Sequence, residues 1–135
     1  MSIKRVIILQ DHPDDKFITE SILKELDFIV EVRFVNHSDE LLSLLSDGYV
    51  PNLILADYNS RPENGLAILK KMKADEKYGA IPVVILGDSS AASYVRQCYF
   101  NGACSVIKKP DSYETSKNKI KDFFKYWLYV AELNS

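Results

Sequence analysis

Hydrophobic residues form short runs that recur along the chain and alternate with segments of helical periodicity. Three runs are continuously apolar, at residues 6–9, 53–56 and 83–86. Continuous runs of this length are typical of strands buried on both faces, as in a parallel sheet covered by helices. Residues 30–34 alternate between apolar and polar types, and the run 105–107 is short, so both are predicted to be edge strands.

Helical spacing of apolar residues separates these strands. Asp14 and Asp15 precede the first helical pattern and Ser38 the second, and all three are of the types that cap a helix start. Asn101 and Gly102 are typical of a helix end. The first helix is predicted from Phe17, Ile18, Ile22 and Leu26, and the last from a long apolar stripe at Ile120, Phe123, Phe124, Trp127, Leu128 and Ala131.

Strand and helix therefore alternate five times, which predicts an α/β fold with one doubly wound, five-stranded parallel sheet. The two edge candidates fit the flavodoxin-like (βα)5 strand order 2-1-3-4-5. In that order the first and third strands are neighbours, and ligands bind outside their carboxyl ends. We expect residues 1–135 to be a single domain without an effector domain.

Composition narrows the function classes. The 135 residues are 47% apolar with a formal net charge of −2, which is unlike a disordered chain or a phosphate-neutralising nucleic-acid binder. No apolar run approaches the roughly 20 residues of a membrane span. Cys98 and Cys104 form no disulfide framework and are predicted to be small packing residues. We expect a cytoplasmic protein with no nucleic-acid or membrane partner.

Charged residues follow the predicted strands at their carboxyl ends, where ligands bind in this fold. Asp11 lies just after the first strand, Asp57 at the end of the third and Lys109 after the fifth. Neighbouring carboxylates repel each other unless a cation lies between them, and a hard divalent ion with oxygen ligands removes that cost. The lysine suits a bound anion. Because the chain has neither GxGxxG nor GxxxxGK[ST], this edge suits a metal ion and a small phosphoryl group rather than a nucleotide.

Four segments together resemble response-regulator receiver domains of the CheY-like type. The resemblance covers nearly the whole chain and extends to the small single-domain regulators that are often paired with phytochrome-type kinases. The segments are residues 6–15 (VIILQDHPDD), 52–65 (NLILADYNSRPENG), 81–86 (IPVVIL) and 102–110 (GACSVIKKP).

The resemblance implies a role for each matching residue. Asp57 would accept a phosphoryl group from a phosphohistidine, Lys109 would pair with a phosphoryl oxygen, and a cis bond before Pro110 would aim that lysine. The protein would assist its own phosphoryl transfer and hydrolysis without being a dedicated enzyme. The cofactor would be Mg²⁺, held by Asp11, Asp57, the backbone carbonyl of Asn59 and, through a water molecule, Gln10.

Three positions depart from the pattern of the family. Gln10 stands where an acid is usual, Gly87 where Thr or Ser is usual, and Val106 where Tyr or Phe is usual. The usual relay from hydroxyl to aromatic ring is therefore missing at both ends. Since Gly87 offers no hydroxyl to a phosphoryl oxygen, we expect Gly87→Thr to raise the rate of phosphorylation.

The resulting hypothesis is a stand-alone response regulator of a two-component phosphorelay. Its partners would be a sensor histidine kinase or phosphotransfer protein and a downstream protein. The output face would combine the fourth helix, the fifth strand and the last helix, including Tyr94. Tyr126 and Tyr129 lie off the apolar stripe, which makes the last helix a candidate dimer interface.

Two alternatives remain at this point. The first is a pseudo-receiver, a binding module that is not phosphorylated, which the three departures favour and which Asp57, Asp11 and Lys109 oppose. The second is a phosphatase of the haloacid-dehalogenase type. That class needs a DxD pair on an early nucleophile strand, whereas here Asp57 is followed by Asn59 on the third strand, so it ranks last.

Overall fold

A computed structural model describes residues 3–10, 13–25, 29–87, 92–109 and 113–133. Its strands form one parallel five-stranded sheet in the order β2-β1-β3-β4-β5, which confirms the predicted fold class. The elements are β1 (Lys4–Leu9), α1 (Pro13–Glu25), β2 (Val30–Val35), α2 (Ser38–Ser46), β3 (Leu53–Asp57), α3 (Gly65–Ala74), β4 (Val83–Gly87), α4 (Ala92–Phe100), β5 (Ser105–Lys108), α5 (Tyr113–Lys125) and a π-helical turn, Tyr126–Val130.

Helices cover both faces of the sheet. Ile54 of β3 packs on the side of α2, α3 and α4, whereas its neighbours Leu53 and Leu55 pack on the side of α5. Each central strand thus contributes side chains to two core layers, which is why its apolar run is continuous. Edge strand β2 alternates between half-buried and exposed residues along most of its length, as its sequence pattern predicts. No described helix has the length and apolar character needed to cross a membrane.

Helix boundaries follow local signals in part. Gly102 has a φ of +100°, a conformation that favours glycine, and it ends α4 as predicted. Asp14 and Asp15 lie within the first turn of α1, where negative charge is favourable, rather than at the capping position. Leu26, predicted as part of the first helix, lies outside the described residues.

Two predicted core positions are wrong. Phe17 of α1 is 66% exposed, because the buried face of this helix carries Thr19 and Ile22 instead. Cys104 is exposed at the start of β5. Cys98 is fully buried as predicted, and burial raises the pKa of its thiol.

Ser38 joins α2 to the loop after β3 rather than capping the helix. It is the first residue of α2 and is fully buried, and the preceding N-cap, His37, makes no side-chain capping bond. The Ser38 hydroxyl oxygen accepts a hydrogen bond from the Glu63 backbone N–H at 2.9 Å. The Ser38 N–H donates to the Arg61 carbonyl oxygen at 2.8 Å. The cap prediction failed because these partners lie more than twenty residues away in sequence.

We expect Ser38→Ala to lower the free energy of unfolding by about 1–2 kcal/mol, because it leaves the Glu63 N–H without its acceptor in a part-buried position. Urea unfolding followed by circular dichroism measures the change. Ser43→Ala, at an exposed position of the same helix, is the control and should alter stability by less than about 0.5 kcal/mol. An equal effect of the two substitutions would contradict the role given to Ser38.

Candidate functional site

The site is built around a carboxylate buried at the end of a central strand. Asp57 is the last residue of β3 and is only 4% exposed. It pairs with Leu86 of β4, and the next residue, Tyr58, donates its N–H to the Leu86 carbonyl oxygen at 2.8 Å. A charged group in such a place is costly without partners, so its surroundings show what it is for.

Lys109 provides the positive charge. Its ammonium nitrogen lies 2.7 Å from Oδ2 of Asp57 and 3.3 Å from Oδ2 of Asp15. Its backbone N–H donates to the Gly87 carbonyl oxygen at 2.7 Å, which fixes the start of the side chain beside β4. The structure therefore brings together the two residues that the sequence paired, Asp57 and Lys109. It adds Asp15, for which the sequence pattern predicted only a helix-capping role.

The loop after β3 contacts the other carboxylate oxygen. The Asn59 backbone N–H donates to Oδ1 of Asp57 at 3.0 Å, and the Ser60 N–H donates to the Asp57 carbonyl oxygen at 3.2 Å. The Ser60 hydroxyl donates to the Glu63 carbonyl oxygen at 2.8 Å and closes the loop on itself. Both oxygens of the Asp57 side chain thus accept a hydrogen bond from a fixed donor.

Gln10 supplies a buried oxygen at the end of β1. The residue is 2% exposed, its N–H donates to the Val35 carbonyl oxygen at 3.1 Å, and its Oε1 accepts no hydrogen bond from the described residues. A buried acceptor without a donor is uncommon in folded proteins and is relieved by a cation or by water.

The donor set fits a hard divalent cation. Oxygen atoms of Gln10 and Asp57 are the ligands that Mg²⁺ prefers, and the carboxylates of Asp57 and Asp15 outnumber the single ammonium of Lys109. In the described ranges, no three His, Cys, Asp or Glu side chains cluster as a metal site. The predicted ligand Asp11 lies outside the described residues, together with His12, Pro110 and the bond before it.

Tyr94 of α4 occupies the place of a side chain at position 87. A Cβ atom built on Gly87 would overlap the Tyr94 hydroxyl oxygen and lie 2.8 Å from Cζ. The hydroxyl oxygen is buried, and the ring makes an edge-to-face contact with Tyr58, with centroids 4.3 Å apart. Gly87→Thr alone therefore adds a hydroxyl only if the Tyr94 ring moves aside, and the faster phosphorylation expected of this variant depends on that movement.

The buried position of Tyr94 also removes its hydroxyl end from the predicted output face. One indirect signal for this contact is present in the sequence: a glycine at a position where the family usually has Thr or Ser leaves space for another side chain. Val106, which also departs from the family pattern, is half-buried in β5, and its N–H donates to the Tyr99 hydroxyl oxygen at 3.1 Å.

Comparison with known proteins agrees with this geometry. The sequence model of the response regulator receiver domain family matches residues 6–121 of this chain. The chain belongs to the response regulator receiver domain family. This receiver is 24% identical over 120 residues to a chemotaxis protein CheY homolog from Campylobacter jejuni, which covers 87% of this chain and 90% of that protein. Receivers are signalling proteins of two-component systems and not dedicated enzymes.

Solved structures share the fold of this receiver. The phosphorylated cyanobacterial phytochrome response regulator RcpA superposes with a TM-score of 0.92 at 25% identity, covering 99% of this chain and 100% of that chain. The Mn²⁺-bound form of response regulator Rcp1 superposes with a TM-score of 0.92 at 21% identity, covering 98% and 99% of the two chains.

We expect Gln10→Asp to tighten Mg²⁺ binding by about tenfold, because two unit charges about 4 Å apart interact by roughly 4 kcal/mol at an effective dielectric near 20, and a water-mediated contact retains part of this. Isothermal titration calorimetry measures the dissociation constant. Gln97→Asp adds the same charge at an exposed position of α4 and should leave binding unchanged within about twofold. Equal or weaker binding in Gln10→Asp would contradict the placement of Gln10 beside the ion.

Proposed function

We propose that this receiver accepts a phosphoryl group on Asp57 from a sensor histidine kinase or phosphotransfer protein and acts as a stand-alone response regulator. The observation that supports the proposal is the buried Asp57 carboxylate, with Lys109 at 2.7 Å and the Asn59 N–H at 3.0 Å. Phosphoryl transfer depends mainly on positioning and charge neutralisation, and these contacts provide both.

The chemistry follows from these contacts. A carboxylate oxygen of Asp57 attacks the phosphorus of the donor, a new O–P bond forms, and the bond to the donor's imidazole nitrogen breaks with its electron pair remaining on that nitrogen. Lys109 lies where it neutralises charge on the phosphoryl oxygens. Hydrolysis then returns the carboxylate and inorganic phosphate. Because the Asp57 carboxylate is buried, a phosphoryl donor can reach it only from the carboxyl ends of the strands.

Mg²⁺ is the cofactor typical of the family, and we propose that it binds here. The residues that would hold it are Asp11, Asp57, the backbone carbonyl of Asn59 and, through a water molecule, Gln10. When bound, the ion supplies positive charge that offsets the repulsion between the carboxylates and an incoming phosphoryl group. The Mn²⁺-bound form of Rcp1 supports a divalent ion in this fold.

Output would occur by contact with a downstream protein. On α4, Phe100 is 88% exposed and Tyr99 is also exposed. Tyr126, Tyr129 and Val130 are exposed on the π-helical turn after α5. Exposed aromatic residues are enriched at protein interfaces, so we assign the contact with the downstream partner to these two elements.

The decisive test of phosphorylation is incubation with Mg²⁺ and acetyl phosphate followed by intact mass measurement. We expect the wild-type chain to gain one phosphoryl group, and Asp57→Asn to gain none because the amide is not a nucleophile for phosphorus. Asp122→Asn, at an exposed position of α5, should react like the wild type. A wild-type chain that gains no mass from this donor or from a cognate kinase would support the pseudo-receiver instead.

We also expect phosphorylation to change amide hydrogen exchange in the loop 58–64 and in α4, because these segments border the phosphorylated carboxylate. Within the loop, the Ser60 N–H donates to the Asp57 carbonyl oxygen and the Glu63 N–H donates to the Ser38 hydroxyl. A change in either hydrogen bond would alter the exchange rate of that amide. Exchange in β2, at the far edge of the sheet, serves as the internal reference. Changes confined to α1 would exclude this route of output.

A further inference from the structure

We propose that Tyr94 of α4 donates a hydrogen bond from its hydroxyl to the phosphoryl group on Asp57, and so replaces the hydroxyl that position 87 lacks. The inference rests on the phosphorylation of Asp57 proposed above. It assigns a positioning role to a side chain from a helix, at a place where the fold ordinarily uses a residue of the strand itself.

The first argument is position. Gly87 is the last residue of β4, and the Tyr94 hydroxyl oxygen lies where a Cβ of residue 87 would be. Asp57 ends the neighbouring strand and pairs with Leu86, the residue just before Gly87. The Tyr94 hydroxyl and the Asp57 carboxylate therefore lie at the same edge of the sheet, at the ends of adjacent strands.

The second argument is the absence of a side chain at Gly87. A residue with a Cβ would overlap the Tyr94 hydroxyl oxygen and lie 2.8 Å from Cζ, so the ring would have to move aside. Gly87 thus leaves the space that the Tyr94 hydroxyl occupies beside the end of β4. A phosphoryl group on Asp57, at the end of the adjacent strand, would present strong acceptor oxygens at the same end of the sheet.

The third argument is the environment of the hydroxyl. Its oxygen is buried from solvent, so a hydrogen bond from it to a charged oxygen is stronger than one in water. The ring is held edge-to-face by Tyr58, with an interplanar angle of 85°. Tyr58 directly follows Asp57 in the chain, so the phosphoacceptor and the proposed donor share a neighbour.

This contact would also connect the site to the surface. Tyr94 lies on the same helix as the exposed residues Tyr99 and Phe100. A hydroxyl that moves towards the phosphoryl group would shift α4 relative to the sheet, and with it those two side chains. Because phosphorylation would favour the conformation in which the bond forms, the two states differ in their contacts as a switch requires.

The test uses the full chain with Mg²⁺ and beryllium fluoride, a phosphoryl mimic, and compares wild type with Tyr94→Phe. This variant keeps the ring and its contact with Tyr58 and removes only the hydroxyl. Since a charge-assisted hydrogen bond is lost, we expect beryllium fluoride to bind about tenfold more weakly or worse. The lifetime of the acyl phosphate formed from acetyl phosphate is the second readout.

Tyr78→Phe is the matched control. It also removes a phenol hydroxyl, which donates to the Leu45 carbonyl oxygen at 2.8 Å, but it lies before the amino end of β4, away from the site. It should bind beryllium fluoride like the wild type even if its urea midpoint falls. Equal binding by Tyr94→Phe and wild type would overturn the proposal. Tighter binding or faster phosphorylation of Tyr94→Phe would also overturn it and make Tyr94 a steric block.

A double-mutant cycle adds a rescue. Gly87→Thr alone and Tyr94→Ala alone should each weaken binding, the first by collision and the second by loss of the hydroxyl. The double variant Gly87→Thr/Tyr94→Ala provides space and a new hydroxyl, so it should bind more tightly than either single variant. Strictly additive losses would overturn the proposal.

The results also separate this inference from the proposed function. If wild type gains no phosphoryl group and binds no beryllium fluoride, both fail. If wild type is phosphorylated on Asp57 and Tyr94→Phe equals it in both readouts, only the role of Tyr94 fails.

Discussion

The ion pair between Lys109 and Asp57 is the interaction on which the site depends. Removing a carboxylate from water costs several kcal/mol unless a counter-charge and hydrogen bonds replace the lost solvation. The two residues come from β3 and β5, which are separated by β4, and the Lys109 backbone is fixed to β4 through the Gly87 carbonyl. The pair therefore forms only when all three strands are in register. The same requirement leaves the carboxylate buried and held in one orientation by Lys109 and the Asn59 N–H.

The sequence predicted the sheet well because burial on two faces leaves a local trace. A central strand such as β3 is apolar at successive positions, whereas edge strand β2 alternates, and the other edge strand, β5, is marked by its short apolar run. The strand order then places Asp57 and Lys109 at one edge without any knowledge of their contacts. Their pairing was predictable because it follows from topology.

Other features were not predictable because they depend on contacts between distant segments. Ser38 is of a residue type that often caps helices, yet its hydroxyl oxygen accepts a hydrogen bond from the loop after β3. Phe17, by contrast, lies five residues before Ile22 and so on a different side of the helix, which means that the sequence spacing already argued against its burial. The meeting of Tyr94 with Gly87 depends on how α4 lies across the strand ends, and periodicity carries no information on that placement.

The bond between the Val106 N–H and the Tyr99 hydroxyl has a further consequence for colloidal behaviour. β5 is an edge strand, and an edge with unpaired backbone donors is a template on which another chain can add a strand and begin to aggregate. Here a side chain from α4 accepts the hydrogen bond of an edge-strand residue, at 3.1 Å. Lys108, exposed at the end of the same strand, adds a charge that opposes strand addition. Both features disfavour intermolecular β-pairing at the β5 edge of the sheet, close to the exposed residues Tyr99 and Phe100 of α4.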